Sequence, residues 1–145
     1  WVGRESRVPG ERGRTHIADS YMNWGVTPKL TAALEGTLLV SRNESGGPPM
    51  RMTGTAGYLK YQFVPRFSLA SRMEYVSDRG GYLSGATQAL KEVTLTAAYQ
   101  PADGFQVRWE VRRDFSNQAH FDGRRQQTTA LMGLLWWFGP KQGTW

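Results

Sequence analysis

The 145-residue sequence contains no cysteine, so disulfide bonds and thiolate chemistry are excluded for this chain. It also lacks any apolar run near the roughly 18 residues that a transmembrane helix requires. Its longest apolar stretch, residues 130–138, instead has the length of one tilted membrane strand, which takes about 9–11 residues. A mean hydropathy of -0.53 is that of a polar chain. This value does not exclude a membrane barrel, because half of every barrel strand is polar.

The formal net charge is +6, which first suggests a nucleic acid or an acidic surface as a partner. The basic residues do not form one run, however. Arg4, Arg7 and Arg12 lie in the first stretch, Arg124 and Arg125 lie in a later loop, and others alternate with acids. We therefore expect no nucleic-acid partner.

Residues 105–116 show the most informative pattern in the chain. Alternate residues point to opposite faces of a strand. One face therefore carries Phe105, Val107, Trp109 and Val111, and the other carries two arginines and two acids. Strands of soluble sandwiches also alternate, but a fully charged face opposite large aromatics is typical of a barrel with lipid outside and water inside.

The same alternation recurs along the chain and predicts seven strands, at residues 14–26, 30–42, 51–64, 67–78, 90–100, 105–116 and 128–138. Short turns and long loops alternate strictly between them. Outer-membrane barrels show this asymmetry, with tight periplasmic turns and longer outer loops. The fold class we predict is all-β, a transmembrane antiparallel up-and-down β-barrel with about seven or eight strands in this sequence.

The alternation of short turns and long loops places a long loop before the first predicted strand, and residues 1–13 have that position. Trp1 and Val2 are predicted to be the tail of a further strand. The chain opens without an initiator methionine or a leader pattern. A removed signal peptide and a missing upstream portion both explain this opening, and we favour the second. Residues 1–145 are thus expected to be the C-terminal part of a single outer-membrane β-barrel domain.

Several segments together carry a resemblance to a known family: 16–21 (HIADSY), 57–61 (GYLKY), 72–75 (RMEY), 90–96 (LKEVTLT), 99–101 (YQP), 108–116 (RWEVRRDFS) and 128–129 (TT). In this order they resemble the OmpL-like β-barrel porins of bacterial outer membranes. One departure is the tail, residues 139–145, which continues past Phe138 to Trp145, whereas such barrels often stop at an aromatic residue.

The resemblance implies a multi-pass protein of the bacterial outer membrane that passes small polar solutes, with no catalytic residue to carry over. We expect no enzyme activity and no cofactor. The expected partners are outer-membrane lipid, lipopolysaccharide and the solutes, and association into a homo-oligomer stays open.

The polar face of the predicted strands supplies the candidate pore-lining residues: Asp19, Glu35, Lys60, Arg72, Glu74, Asp78, Glu92, Arg108, Glu110, Arg112 and Asp114. Six of them, on three consecutive strands, are expected to form a charged ladder: Arg72, Glu74, Glu92, Arg108, Glu110 and Arg112. Such a ladder suits a pore wall whose field sorts ions, and it equally suits a structural mesh. Acids and bases are mixed, so we assign no sign of ion preference.

The opposite face supplies the candidate lipid-interface residues: Trp24, Tyr61, Tyr75, Tyr99, Trp109, Trp136 and Arg113. Arg113 interrupts an apolar face, and a charge at mid-membrane costs about 2–4 kcal/mol. We therefore expect Arg113 to lie near the outer rim. His16 and His120 are isolated and are expected at the surface rather than on a metal.

Two other functions remain open. One is a structural or adhesive barrel whose lumen is plugged by its own side chains. The other is a soluble ligand-binding barrel, which would enclose Leu95 and Trp109 and expose Arg108 and Glu110.

Overall fold

The computed structural model describes residues 2–3, 13–43 and 46–139. It is all-β, and its strands follow the chain in this order: β1 Val2–Gly3, β2 Gly13–Thr27, β3 Leu30–Asn43, β4 Met50–Val64, β5 Phe67–Arg79, β6 Gln88–Ala102, β7 Phe105–Ser116 and β8 Gln126–Trp136. The described residues include no helix long and apolar enough to cross a membrane.

All eight strands form one antiparallel sheet in which each strand pairs with the next along the chain. Seven of them, β2 to β8, are long up-and-down strands, as the alternation predicted. The short strand β1 pairs with β2 through Val2 and His16, which agrees with the expected strand tail. The sheet is partly curled, and within the described residues the pairing does not return from β8 to β1.

The strand ends differ from the prediction by more than one residue in β6, which spans 88–102 rather than 90–100, and in the final strand. Strand β6 continues to Ala102 through a register shift after Tyr99, so the turn before β7 shrinks to Asp103 and Gly104. Gly104 has φ of 80°, and a Cβ there would stand 2.9 Å from the Trp137 carbonyl oxygen. The final strand runs over 126–136 rather than 128–138, although the Trp137 amide still donates to the Gly104 carbonyl at 2.9 Å.

The predicted loop at 1–13 falls largely outside the described residues, as does most of the tail after Phe138. Of the predicted loop at 43–49, only residues 44 and 45 lie outside them. The other two long loops are described. They join β5 to β6 through residues 80–87 and β7 to β8 through residues 117–125. Because strands alternate in direction, both loops lie at one end of the sheet, called here the long-loop end. The turns after β2, β4 and β6 define the short-turn end.

The sheet has two chemically different faces. The polar face carries Arg72, Glu92 and Arg112, and the apolar face carries Leu95 and Trp109. The buried side chains on the strands all belong to the polar face, namely Thr15, Leu39, Ser41, Ala56, Ser68, Val76, Asp78, Gln88, Thr94, Asp114 and Ser116.

The apolar face is the exposed one. Leu95 and Trp109 are 49% and 45% exposed, and Met132 is 66% exposed. A soluble protein buries such residues, so this sheet has the inverse of a soluble arrangement. A soluble barrel with an apolar interior would need Leu95 and Trp109 enclosed, and the structure contradicts that alternative.

Candidate functional site

The alternation of side chains along each strand places the predicted site residues in two sets, one on each face of the sheet. All eleven candidate pore-lining residues lie on the polar face, and all seven candidate lipid-interface residues lie on the apolar face. A cavity of about 370 Å³ spans the polar face, with Tyr21 and Thr31 at one side and Glu110 and Arg112 at the other. The polar face is thus the concave side of the curled sheet. Whether these residues line a pore remains a prediction.

Register places four carboxylates in one row across the polar face. Glu35 lies opposite Ala56, which lies opposite Glu74, and the row continues through Glu92 to Asp114. Glu74 and Glu92 are directly opposite each other, an arrangement that is destabilising for like charges unless cations intervene.

The next row supplies those cations. Arg72 and Arg112 stand in it on either side of Thr94. Arg72 pairs with Glu74, and its Nη2 lies 3.6 Å from a Glu92 oxygen. Arg112 Nε lies 3.9 Å from the other Glu92 oxygen and 3.2 Å from Asp114 Oδ2. Glu92 is therefore the shared centre of a five-residue chain of ion pairs, called here the ion-pair chain.

Its pairs are partly exposed, with both arginine side chains more than a third accessible, so each pair is worth only about 0–1 kcal/mol. The ion-pair chain as a whole therefore contributes little to the stability of the fold. Its physical effect is to hold the two guanidinium groups close to the polar face of the sheet. Both arginine side chains lie along this face rather than extending away from it.

The predicted ladder was right for Arg72, Glu74, Glu92 and Arg112 and wrong for two members. Among the described residues, Arg108 donates to Gln106 Oε1 at 2.7 Å, and Glu110 accepts from the Thr96 hydroxyl at 3.2 Å. Neither forms an ion pair there. Their positions along the strand explain the difference, because Glu110 stands two rows and Arg108 three rows nearer the short-turn end than Glu92.

Asp114 is the ladder member that the prediction omitted. It shares a face with Arg112 at a spacing of two residues and accepts a further hydrogen bond from Gln127 Nε2 at 2.8 Å. The i, i+2 spacing on one face was the sequence signal that could have found it.

At the other side of the sheet two carboxylates, Glu35 and Asp19, are held by neutral donors. The Tyr58 hydroxyl donates to Glu35 at 3.0 Å, and its ring lies 5.9 Å from the Arg72 guanidinium carbon. The Thr37 hydroxyl donates to Asp19 at 2.8 Å.

Asp78 lies on the polar face as predicted, but it is fully buried rather than open to a lumen. Its Oδ2 accepts hydrogen bonds from the Leu83 amide at 3.0 Å and from the Ser84 amide and hydroxyl at 2.8 Å each. The carboxylate thereby anchors the loop 80–87 over the end of β5. Sequence gave no sign of this role, because it depends on how the loop folds back.

The loop 117–125 is anchored in a similar way. The Ser116 hydroxyl donates to Gln88 Oε1 at 2.8 Å, and Gln88 Nε2 lies 3.2 Å from His120 Nδ1. His120 is exposed, as expected, yet it has this polar partner. Leu83 and Phe121, one from each loop, line a second cavity of about 180 Å³ beside the ion-pair chain. Both loops therefore lean over the polar face.

The aromatic residues of the apolar face concentrate at the short-turn end. Trp136 and Phe105 pack with ring centroids 6.2 Å apart, and Tyr61 and Phe63 with centroids 4.8 Å apart. Trp24 and Tyr99 stand within a few residues of the same end.

Three of the candidate interface residues lie elsewhere on that face. Trp109 is further into its strand, and Tyr75 lies toward the long-loop end. Arg113 lies three residues before β7 ends at the long loop, and its Nη2 donates to Gln126 Oε1 at 2.9 Å. Arg113 is therefore near the long-loop end of its strand, and its place at the outer rim of a membrane stays a prediction.

A comparison with protein-family models finds one whose description is "Putative beta-barrel porin-2, OmpL-like", and it matches residues 2–138. Comparison with curated proteins and with solved structures gives no significant match.

Proposed function

The chain belongs to the OmpL-like family of putative beta-barrel porins, and from this membership we propose that it forms the wall of an outer-membrane pore. Small hydrophilic solutes or ions pass along its polar face by passive diffusion. No covalent step and no cofactor takes part.

The observation that carries the proposal is the inverted burial of the sheet. Aliphatic and aromatic side chains are on the exposed face, and the buried positions on the strands hold mostly hydroxyls, amides and carboxylates. Lipid is the solvent that suits the first face, and a water-filled interior suits the second. An antiparallel up-and-down sheet can span lipid when closed, because every backbone group then has a partner.

The test is single-channel conductance of the full-length protein in a planar bilayer, with two neighbouring substitutions. Ala70→Trp places an indole over the cavity on the polar face, whereas Ser71→Trp places the same group on the apolar face. We expect open channels in the wild type, a lower conductance for Ala70→Trp and no change for Ser71→Trp. A folded, inserted wild type that never conducts would refute the pore.

One observation favours a second candidate, a barrel with a plugged lumen. Leu83 and Phe121 lean over the polar face, and the loops that carry them are pinned by Asp78 and Gln88. If these loops close the lumen, the wild type will be silent and a variant with residues 118–124 replaced by a short Gly-Ser turn will conduct.

A further inference from the structure

Basic residues occupy the apolar face at its long-loop end. Each of the six strands from β2 to β7 contributes one, all of them exposed, and we call this set the basic belt: Arg14, Arg42, Arg51, Arg79, Lys91 and Arg113. The register of the strands places every belt residue on the apolar face, with Leu95 and Trp109, and none on the polar face with the ion-pair chain.

The belt brings like charges together. Arg14 lies directly opposite Arg42, and Arg51 lies directly opposite Arg79. Like charges in this position destabilise a sheet. The apolar face of β2 to β8 carries no aspartate or glutamate, and among residues 13–43 and 46–139 no ion pair joins the belt to a carboxylate. The described sheet therefore supplies no counter-charge for the belt.

The height of the belt indicates where that counter-charge lies. Arg51 and Tyr61 are ten positions apart on β4, and Lys91 and Tyr99 are eight apart on β6. At about 3.4 Å per residue these spacings are about 34 and 27 Å along the strands. At a tilt of about 40° they become about 26 and 21 Å along the membrane normal, close to the roughly 25 Å apolar band of outer-membrane barrels.

The aromatic residues at the short-turn end are called here the aromatic row: Trp24, Tyr61, Phe63, Tyr99, Phe105 and Trp136. Between the belt and the aromatic row, the apolar face of β2 to β7 carries only uncharged residues and His16. The aromatic row then marks one membrane interface and the belt marks the other. Since long loops lie on the outer side of such barrels, the belt belongs to the outer leaflet.

We propose that the basic belt binds the phosphate groups of the phosphorylated glycolipid of the outer leaflet. This inference rests on the proposed function, which sets the orientation in the membrane. Five of the six belt residues are arginines, whose planar forks match phosphate oxygens two at a time. Arginines on neighbouring strands, about 4.8 Å apart, can clamp one phosphate between them, which removes the repulsion within each pair.

The test is binding of lipid A to the full-length protein in detergent, measured by native mass spectrometry. The probes are lipid A with both phosphates, the same lipid A after dephosphorylation, and inorganic phosphate alone. The variant Arg51→Gln/Arg79→Gln removes one opposed pair. The matched control, Lys29→Gln/Arg66→Gln, removes the same charge from exposed turns at the short-turn end.

A basic residue near an anionic lipid surface contributes about a fivefold factor in affinity, so the double variant should bind bisphosphorylated lipid A about 25-fold more weakly. The control should stay close to the wild type, and dephosphorylated lipid A should lose most of its affinity. Equal binding by the wild type and the belt variant, or equal binding of both lipid A forms, would overturn the proposal. If inorganic phosphate bound as tightly as lipid A, the assignment of the bound phosphate group to a lipid would be overturned.

This experiment does not depend on an open channel. Conductance of the same belt variant in a bilayer of neutral lipid should equal that of the wild type. A silent wild type would remove the pore and leave the lipid site standing, whereas failed lipid A binding would remove the site and leave the pore standing.

Discussion

Replacing Glu92 with glutamine should move the ion preference of the pore toward anions. The strands contribute seven carboxylates and four basic side chains to the polar face, a net charge of −3, although the whole chain carries +6. The excess of positive charge lies in the loops, the turns and the basic belt. We therefore expect the wild-type wall to favour cations, and Glu92→Gln lowers that excess of negative charge by one.

The size of the effect follows from Coulomb's law. A carboxylate acts on a monovalent ion about 10 Å away in water with about 0.4 kcal/mol. Screening lowers this to about 0.3 kcal/mol at 0.01 M salt and about 0.15 kcal/mol at 0.1 M. Because a cation gains what an anion loses, one carboxylate changes the cation-to-anion ratio about 2.7-fold at 0.01 M and about 1.7-fold at 0.1 M.

The effect on stability should be modest and of a different kind. Glutamine preserves the shape of Glu92, and Arg72 and Arg112 each keep one carboxylate partner, Glu74 and Asp114 respectively. Since the two lost pairs are partly exposed, their combined loss should cost about 1 kcal/mol. The two arginines become less tightly held, which adds to the shift toward anions.

The assay is the reversal potential of the full-length protein under a KCl gradient, measured at low and at moderate salt. Glu110→Gln is the matched control, because it removes the same charge from a carboxylate whose partner is the Thr96 hydroxyl. Both variants should shift toward anions, Glu92→Gln by more, and both shifts should shrink as salt rises. A reversal potential that neither variant changes would refute the assignment of the polar face to the ion path.

Two further outcomes are expected. Leu95→Arg places a charge on the exposed apolar face and should destabilise the inserted protein by about 2–4 kcal/mol, while Thr96→Arg on the polar face should be tolerated, as denaturant titration in lipid vesicles will show. Asp78→Asn weakens charge-assisted bonds to the loop 80–87, each worth about 1.5–3 kcal/mol, so amide exchange at Leu83 and Ser84 should accelerate. Ser84→Ala, which keeps both backbone bonds, should accelerate it less; equal protection in all three proteins would contradict the anchoring role.

The sequence was enough to predict the two faces and the order of the strands. Both follow from a period of two and from loop lengths, which are local properties of the chain. All eleven predicted polar-face residues lie on one side for this reason. Register was not predictable to the residue, because it depends on turn geometry and bulges such as the one after Tyr99. That uncertainty produced the errors at Arg108 and Glu110, whose side of the sheet was right and whose partners were wrong.

The anchoring of the loops was beyond sequence reasoning for a different reason. Asp78 carries the same alternation signal as Glu74, and only the return of residues 83–84 over the strand end separates a buried anchor from an open charge. Backbone donors supply two of its three hydrogen bonds, and backbone groups leave no trace in the residue pattern.

The ion-pair chain reconciles the two interpretations that the charged face allowed, a structural mesh and a selective wall. Pairs worth at most about 1 kcal/mol each cannot hold a barrel together. They can hold Arg72 and Arg112 flat against their carboxylates, so that neither guanidinium extends across the cavity. Pairing does not cancel the unmatched acids Asp19, Glu35 and Glu110, whose partners in the described residues are hydroxyls. In the proposed pore, the ion-pair chain would therefore keep the path clear. With three carboxylates and two guanidinium groups it retains one negative charge, to which the carboxylates outside it add.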